Sequence, residues 1–334
     1  MSARRITAVV PAWNRAALLP ETLDRILAQT RAPDEVIVVD DGSEDDTPAL
    51  LARYAVRGVR AVRTANAGDL AARNVGLREA SGDLVAFCDS DDLWEPGFLA
   101  AMEALWEARP ELRAAYGNFR IVRNGQWSEA TKFDDAPPGF WEGLVPLRPG
   151  AFTFEHPVAE RLVRFQPFFP AALVAGRAFL LEAGGWDEGV SGLVGRDFAT
   201  ALRIAEYAPL GILWEPLVGI RKHESNDSGD VLAMNLGDAD VLEHVIRTRP
   251  PFAVHAQVFR ESAAARRRAA LDTAFARGRF EDVRNIARLL PVDGLPALAR
   301  VKHAVAGLPE PARAVLARLV LAGGTLKGRL AGGR

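Results

Sequence analysis

The sequence predicts an α/β fold: a mostly parallel β-sheet with helices on both faces, followed by a helical region. Short β-branched runs alternate with helical patterns through the first hundred residues, and this alternation is typical of βαβ units. From about residue 229 the chain becomes rich in Ala, Leu and Arg with helical periodicity. At roughly 150 residues per domain, 334 residues suggest two structural units.

The first hundred residues contain four predicted strands, each followed by a helix. The strands are expected at Ile6–Val10, Glu35–Val39, Val59–Arg63 and Asp83–Cys88, and the helices at Leu18–Leu27, Ala49–Tyr54, Leu70–Ala80 and Pro96–Ala108. The runs at Ile6–Val10, Glu35–Val39 and Asp83–Cys88 are short and largely apolar, as in a sheet buried on both faces.

The second hundred residues have weaker patterns. Arg109–Leu180 is rich in Pro and aromatic residues and is expected to be irregular, the kind of segment that carries binding determinants. An amphipathic helix is predicted at Phe198–Ala208, short strands at Ile212–Trp214 and Leu217–Ile220, and a helical hairpin at Ala263–Leu290 that turns near Gly278. We therefore expect domains at 1–228 (halves 1–108 and 109–228) and 229–334.

Composition limits the class of protein. The one cysteine, Cys88, excludes an intrachain disulfide and a thiolate metal cage. Because Met1–Arg5 leads directly into the short run Ile6–Val10, we expect no secretory leader, and no run of ~18 apolar residues predicts a membrane span. The expected compartment is the cytoplasm, or the inner face of the membrane if the protein attaches there.

Charge is distributed unevenly. Residues 257–334 contain 13 Arg and 2 Lys against 6 acids, a net +9, so the rest of the chain carries −11 to give the total of −2. An acidic body argues against binding of nucleic acid. The basic helices are expected to pack on the body or on a second subunit, or to lie on an anionic membrane surface.

Polar clusters follow three of the predicted parallel strands. They are Pro11-Ala12-Trp13-Asn14, Asp40-Asp41-Gly42-Ser43 and Asp89-Ser90-Asp91-Asp92. Because ligands of such sheets bind beyond the carboxyl ends of the strands, the three clusters predict one site at one edge.

Each cluster has a functional and a structural interpretation. Asp89-Ser90-Asp91 suits Mg²⁺ or Mn²⁺, which prefer oxygen ligands, but its carboxylates could instead cap the helix near Pro96. Asp40 and Asp41 could bind a base or ribose, or form a turn. Trp13 could face a base or lie in the core, and Arg73 could contact a phosphate or solvent.

Two long segments resemble family 2 glycosyltransferases of the GT-A fold. They are AVVPAWNRAALLPETLDRILAQTRAPDEVIVVDDGSEDDT and NAGDLAARNVGLREASGDLVAFCDSDDLWEP, within residues 5–108. A weaker likeness continues through Leu181–Tyr207 and Ile220–Ser228. The resemblance implies transfer of a sugar from a nucleotide-diphosphate donor, with inversion, to a glycan or lipid-linked acceptor.

The resemblance also implies roles for individual residues. A nucleotide-sugar site is expected from Pro11, Trp13, Asn14, Asp40, Asp41, Arg73, Asp89 and Ser90, with Pro11, Trp13 and Asp40 at the base and Asp89 near the ribose. Asp91 and His223 match positions that bind Mn²⁺ or Mg²⁺ in relatives. His223 could otherwise be an ordinary turn histidine.

Asp197 matches the catalytic base of the family. Relatives usually have an acidic pair there, whereas this chain reads Arg196-Asp197. Asp197 could instead cap the helix that follows it. The arginine also leaves open a non-catalytic nucleotide-sugar-binding or scaffold protein.

Two other enzyme classes lack their motifs after the first strand. A sugar nucleotidyltransferase would need a Gly-rich basic loop, and a dinucleotide oxidoreductase would need G-x-G-x-x-G. The sequence there is PAWNR.

Overall fold

The computed structural model describes residues 4–223, 229–290 and 295–331 of the chain, with side chains up to residue 322. The expected domain boundary after residue 228 falls at residues 224–228, outside the described residues. The chain forms two compact units, Met1–Gly192 with Arg196–Asn226, and Leu193–Gly195 with Asp227–Arg334.

The first hundred residues alternate between strand and helix as predicted. The elements are β1 (Ile6–Ala12), α1 (Leu19–Leu27), β2 (Glu35–Asp40), α2 (Thr47–Tyr54), β3 (Val59–Arg63), α3 (Asp69–Glu79), β4 (Leu84–Phe87), β5 (Leu93–Trp94) and α4 (Phe98–Ala108). Strands β1, β2 and β4 are almost wholly buried, which explains why they are continuous apolar runs rather than alternating patterns.

The next segment is more regular than the sequence predicted. It contains β6 (Ala114–Arg123), β7 (Gln126–Thr131), β8 (Leu144–Arg148), β9 (Ala151–Phe154), α5 (Ala159–Leu162), β10 (Leu173–Gly176), α6 (Arg177–Glu182), α7 (Asp197–Ala205) and β11 (Leu210–Arg221). The two short strands predicted at 212–220 are one strand, β11. Its pairing with β6 shifts register on either side of Pro216, which has no N–H to donate to the ladder.

One sheet runs through the first unit. Its strand order is β3-β2-β1-β4-β10-β6-β11-β9-β8, with β5 paired to β11 and β7 to β6. The four strands at one end, β3-β2-β1-β4, are parallel, as the sequence predicted. Beyond them β10 is antiparallel to both neighbours, and among the strands of the described residues only β6 and β11 pair in parallel there.

Close packing fixes α3 against the parallel strands. At Gly76 of α3, a Cβ atom would lie 2.3 Å from Val9 Cγ1 on β1, so this position accepts only glycine without movement. This close contact fixes the position of α3 along β1, and with it the positions of Asp69 and Arg73 near the start of the helix.

The second unit is helical. It contains α8 (Val231–Thr248), α9 (Ala256–Ala276), α10 (Phe280–Arg288), α11 (Ala297–Ala306) and α12 (Ala312–Ala331). The hairpin predicted near Gly278 is confirmed: this glycine has φ +70° between α9 and α10. The helical unit has its own apolar core, which includes Leu271, Phe275, Ile286 and Val305. None of the helices in the described ranges is long and apolar enough to cross a membrane.

Candidate functional site

The three polar clusters meet at one edge of the parallel sheet. Strand β1 pairs in parallel with both β2 and β4, and Ala12 lies opposite Asp40. The segments that follow these strands therefore lie side by side, as the sequence predicted.

The loop after β1 is fixed to the loop after β2. The Asn14 N–H donates to Ser43 Oγ at 2.9 Å, and Asn14 Oδ1 accepts the N–H of Glu44 at 2.8 Å. Asn14 itself adopts a left-handed φ of +51°, which asparagine tolerates better than most residues. Pro11 is buried within β1, whereas Trp13 is 51% exposed and does not lie in the core.

Asp40 and Asp41 are both buried but have different partners. Asp40 pairs with Arg63 Nη1 at 2.6 Å and accepts the Ser43 N–H at 2.9 Å. Asp41 accepts from the Thr64 hydroxyl at 3.2 Å and from two backbone N–H groups in front of α3 at 3.0 and 2.8 Å. Both oxygens of Asp41 thus hold the loop that leads into α3.

Arg73 lies at the centre of the site and is 3% exposed. Its Nη1 is 2.5 Å from Asp69 Oδ2 and 3.1 Å from Asp197 Oδ1, and its Nη2 is 2.6 Å from Asp89 Oδ1. The guanidinium also lies over the Trp186 ring, 4.7 Å from the centroid. One buried cation therefore contacts three carboxylates from three separate elements.

Arg196 extends this cluster by a second cation. Its Nε donates to Asp69 Oδ1 at 2.5 Å, so Asp69 bridges Arg196 and Arg73. Sequence reasoning did not select Asp69. The available signal was the four-residue spacing of Asp69 and Arg73, which places both on one helix face.

Asp197 is the first residue of α7 and does not cap that helix. The cap position is Arg196, and no side-chain cap hydrogen bond is formed there. Burial raises the pKa of Asp197 to about 6; Asp69 and Asp89 add to this effect, while Arg73 and Arg196 oppose it. A carboxylate with such a pKa can accept a proton near neutral pH.

Asp91 and His223 come together across 132 residues. Asp91 Oδ2 lies 2.9 Å from His223 Nε2, and Arg15 Nη2 is 4.0 Å from the same oxygen. Asp92 contributes indirectly, because its buried carboxylate accepts the N–H of Arg221, two residues before His223, at 2.8 Å. The helix-cap alternative for these aspartates is not met: α4 begins after Gly97 with no side-chain cap.

The donor set fits a hard divalent cation held in part by the protein. One carboxylate and one imidazole face each other, and the part of the chain that the structure describes holds no group of three or more His, Cys, Asp or Glu around one point. Mg²⁺ and Mn²⁺ commonly complete such a shell with water and substrate phosphates.

Asp89 and Ser90 precede Asp91 in the chain, and Asp89 contacts Arg73. Asp89 is partly exposed beside Arg73, and burial raises its pKa. The Ser90 carbonyl accepts the Thr22 hydroxyl of α1 at 3.2 Å, and the residue is buried. The two predicted residues thus differ in access: a ligand can reach Asp89 more easily than Ser90.

The family model for glycosyl transferase family 2 matches residues 7–153. The matched range runs from β1 into β9 and contains all three polar clusters. Residues 7–153 of the chain thus correspond to a family 2 glycosyltransferase domain.

Curated relatives match about a third of the chain. An uncharacterized glycosyltransferase of Bacillus subtilis, YwdF, is 38% identical over 100 residues, which cover 29% of this chain and 37% of that protein. WfgD of Escherichia coli, a UDP-Glc:α-D-GlcNAc-diphosphoundecaprenol β-1,3-glucosyltransferase, is 30% identical over 120 residues, or 36% of this chain and 47% of WfgD. The matches thus span less than half of either relative.

Solved structures show the same fold over most of the chain. The structure of S. aureus TarS 1–349 in complex with UDP-GlcNAc has a TM-score of 0.60 at 18% identity and covers 90% of this chain and 89% of that one. The mannosyltransferase PcManGT from Pyrobaculum calidifontis, in complex with GDP-Man and Mn²⁺, has a TM-score of 0.53 at 22% identity, with 96% and 87% covered. The fold is therefore GT-A-like, with a C-terminal helical region.

Proposed function

We propose that this protein is a glycosyltransferase that moves a hexose from a nucleoside-diphosphate sugar to an acceptor hydroxyl, with inversion at the anomeric carbon. The observation that carries the proposal is the contact of Arg73 with both Asp89 and Asp197, at 2.6 and 3.1 Å. Through Arg73, Asp89 at the donor-binding edge of the sheet, which we call the rim, is connected to Asp197. Asp197 is a carboxylate that can take a proton.

The donor would lie along the rim formed after β1, β2 and β4. Trp13 is exposed there and offers a ring for the base, while the partly exposed Asp89 offers a carboxylate to ribose groups. The structural relatives were solved with UDP-GlcNAc and with GDP-Man, and the E. coli relative is named for UDP-Glc. These names support a nucleoside-diphosphate hexose without choosing the base.

Asp91 and His223 would hold Mn²⁺ or Mg²⁺. Bound there, the cation would offset the negative charge that the leaving diphosphate gains in the transition state. The Mn²⁺ in the PcManGT structure supports this assignment.

Asp197 would take the proton of the attacking hydroxyl. Arg73 holds its Oδ1, which orients the carboxylate, and burial keeps its pKa high enough for proton transfer. A single displacement needs no second nucleophile and inverts the anomeric carbon. The acceptor would be a glycan or a lipid-linked glycan, as the diphosphoundecaprenol in the WfgD name suggests.

The first experiment is a thermal-shift screen of UDP-, GDP- and dTDP-sugars with and without Mn²⁺. A ligand that binds the folded state raises the unfolding temperature by mass action. The selected donor is then assayed for hydrolysis or transfer with wild type and Asp197→Asn.

We expect Asp197→Asn to lower kcat by roughly 10²–10⁴-fold with little change in donor affinity. Donor binding by wild type without any turnover would favour the non-catalytic binding protein instead. A variant that loses stability but retains its kcat would mean that Asp197 serves the fold alone.

A further inference from the structure

Helix α12 exposes its larger apolar side chains. Val315 is 58% exposed, Leu319 is 62% exposed and Leu316 is 39% exposed. We call these three residues the α12 stripe. They recur at intervals of three and four residues, so they share one side of the helix.

The opposite side of α12 packs against the apolar core of the helical unit. Ala317 is buried there, Val320 is partly buried, and Arg313 lies over the Phe280 ring at 4.9 Å. A helix of a globular protein normally buries its larger apolar side chains. In α12 an alanine, a partly buried valine and an arginine stem face the core, while two leucines and another valine face outward.

The charge of the segment indicates what this stripe meets. Residues 311–334 contain four Arg and one Lys and no acidic residue. Arg318 is exposed and lies between Leu316 and Leu319 along the chain. Exposed apolar side chains beside an exposed arginine, on a segment whose net charge is positive, fit a surface that is apolar inside and anionic at its edge.

We infer that α12 lies in the interface of an anionic phospholipid bilayer, with the α12 stripe inserted among the acyl chains and Arg318 at the headgroups. The neighbouring helix α11 has two more half-exposed apolar residues, Leu298 and Val301. The inference goes beyond the proposed function and holds whether or not the protein transfers a sugar.

A second copy of the chain fits this surface less well. A two-fold contact through the α12 stripe would bring the same basic segment of both copies together, and like charges at an interface oppose association. The charge of anionic lipid is opposite to that of the α12 segment. The charge and the exposed apolar side chains therefore both favour a lipid surface over a second copy.

Vesicle co-sedimentation of the full chain tests the inference. Vesicles of phosphatidylcholine with phosphatidylglycerol are compared with pure phosphatidylcholine, at low and at physiological salt. We expect binding only with the anionic lipid, weakened by salt because added ions screen the headgroup attraction.

Variants of the exposed side chains locate the surface. Val315→Ser with Leu319→Ser, and separately Arg318→Glu, should each lower the bound fraction at least about fivefold. Val254→Ser is the matched control, because Val254 is 84% exposed in the same unit but lies outside α12. It should bind like wild type, and circular dichroism should show that all variants are folded.

Three outcomes would overturn the inference: no sedimentation of wild type with anionic vesicles, equal binding by the stripe variants and wild type, or a wild-type dimer that the stripe variants convert to a monomer. The last outcome would identify a second copy as the occupant. A loss confined to the stripe and Arg318 variants would establish the lipid contact.

Discussion

Arg73 compensates the charge of three carboxylates. With Asp69, Asp89 and Asp197 at 2.5 to 3.1 Å, a buried guanidinium keeps the cluster from strong mutual repulsion, and Arg196 adds a second cation at Asp69. The balance between these charges sets the proton affinity of Asp197.

The pH dependence of turnover should follow Asp197. Its pKa of about 6 means that the carboxylate gains a proton as the pH falls through that value and can no longer accept one from a hydroxyl. We expect kcat to fall about tenfold for each pH unit well below 6 and to level off above it. A kcat profile that is flat from pH 5 to 7 would contradict this assignment.

Asp69 and Arg196 should shift that profile in opposite directions. Asp69 raises the pKa of Asp197 and Arg196 lowers it. Asp69→Asn should therefore move the acidic limb of kcat to lower pH, and Arg196→Gln should move it to higher pH. Shifts of both variants in the same direction would show that the pair acts only by packing.

Asp91 should govern metal-dependent affinity. Asp91→Asn removes one charge and one oxygen ligand, so the affinity for UDP or GDP in Mn²⁺ should fall roughly 100-fold. Without the metal, wild type and variant should bind alike. Asp24→Asn is a suitable control, since Asp24 is an exposed carboxylate on α1. Unchanged Mn²⁺-dependent affinity in a folded Asp91→Asn protein would remove Asp91 from the metal site.

At the scale of elements, helix α8 packs closely against the backbone of Val194 at Gly237. A Cβ atom on Gly237 of α8 would lie 1.9 Å from the carbonyl oxygen of Val194, which is backbone and cannot rotate away. Gly237→Ala should lower the free energy of unfolding by about 1–3 kcal/mol.

Gly229→Ala provides the control for that measurement. A Cβ atom there meets nothing within 4 Å, so we expect a change of at most ~0.5 kcal/mol. Denaturant unfolding measures the free energy of unfolding of both variants. Equal values would show that the Val194 segment can move to make room for the added methyl group at no cost.

At the scale of the whole molecule, a bound nucleotide with Mn²⁺ should protect the three polar clusters and leave helices of the second unit unprotected. Hydrogen exchange with UDP and Mn²⁺ should slow in peptides that cover residues 11–15, 40–43 and 89–92, because a bound ligand suppresses local opening at its contacts. Peptides from α9 and α10 provide the internal comparison and should exchange at unchanged rates. Protection confined to those helices would place the nucleotide elsewhere.

The sequence was informative where side-chain pattern and local structure coincide. Buried parallel strands appear as continuous apolar runs, so β1, β2 and β4 and the polar ends beyond them could be predicted. Strands β7 and β8 could not, because most of their residues are exposed or half-exposed and β8 contains Pro146. Without a buried face, a strand leaves no alternation to detect.

By itself the sequence determined the parallel half of the sheet, the rim clusters and the helical character of the last third. The tertiary structure alone decided that Arg73 meets Asp197 across 124 residues and that Arg196 meets Asp69 across 127. The periodicity of apolar residues does not predict such pairs, because it reflects only which face of one helix or strand is buried. Ion pairs across the site arise from the packing of several elements, and only that packing brings Asp197 to Arg73 and Arg196 to Asp69.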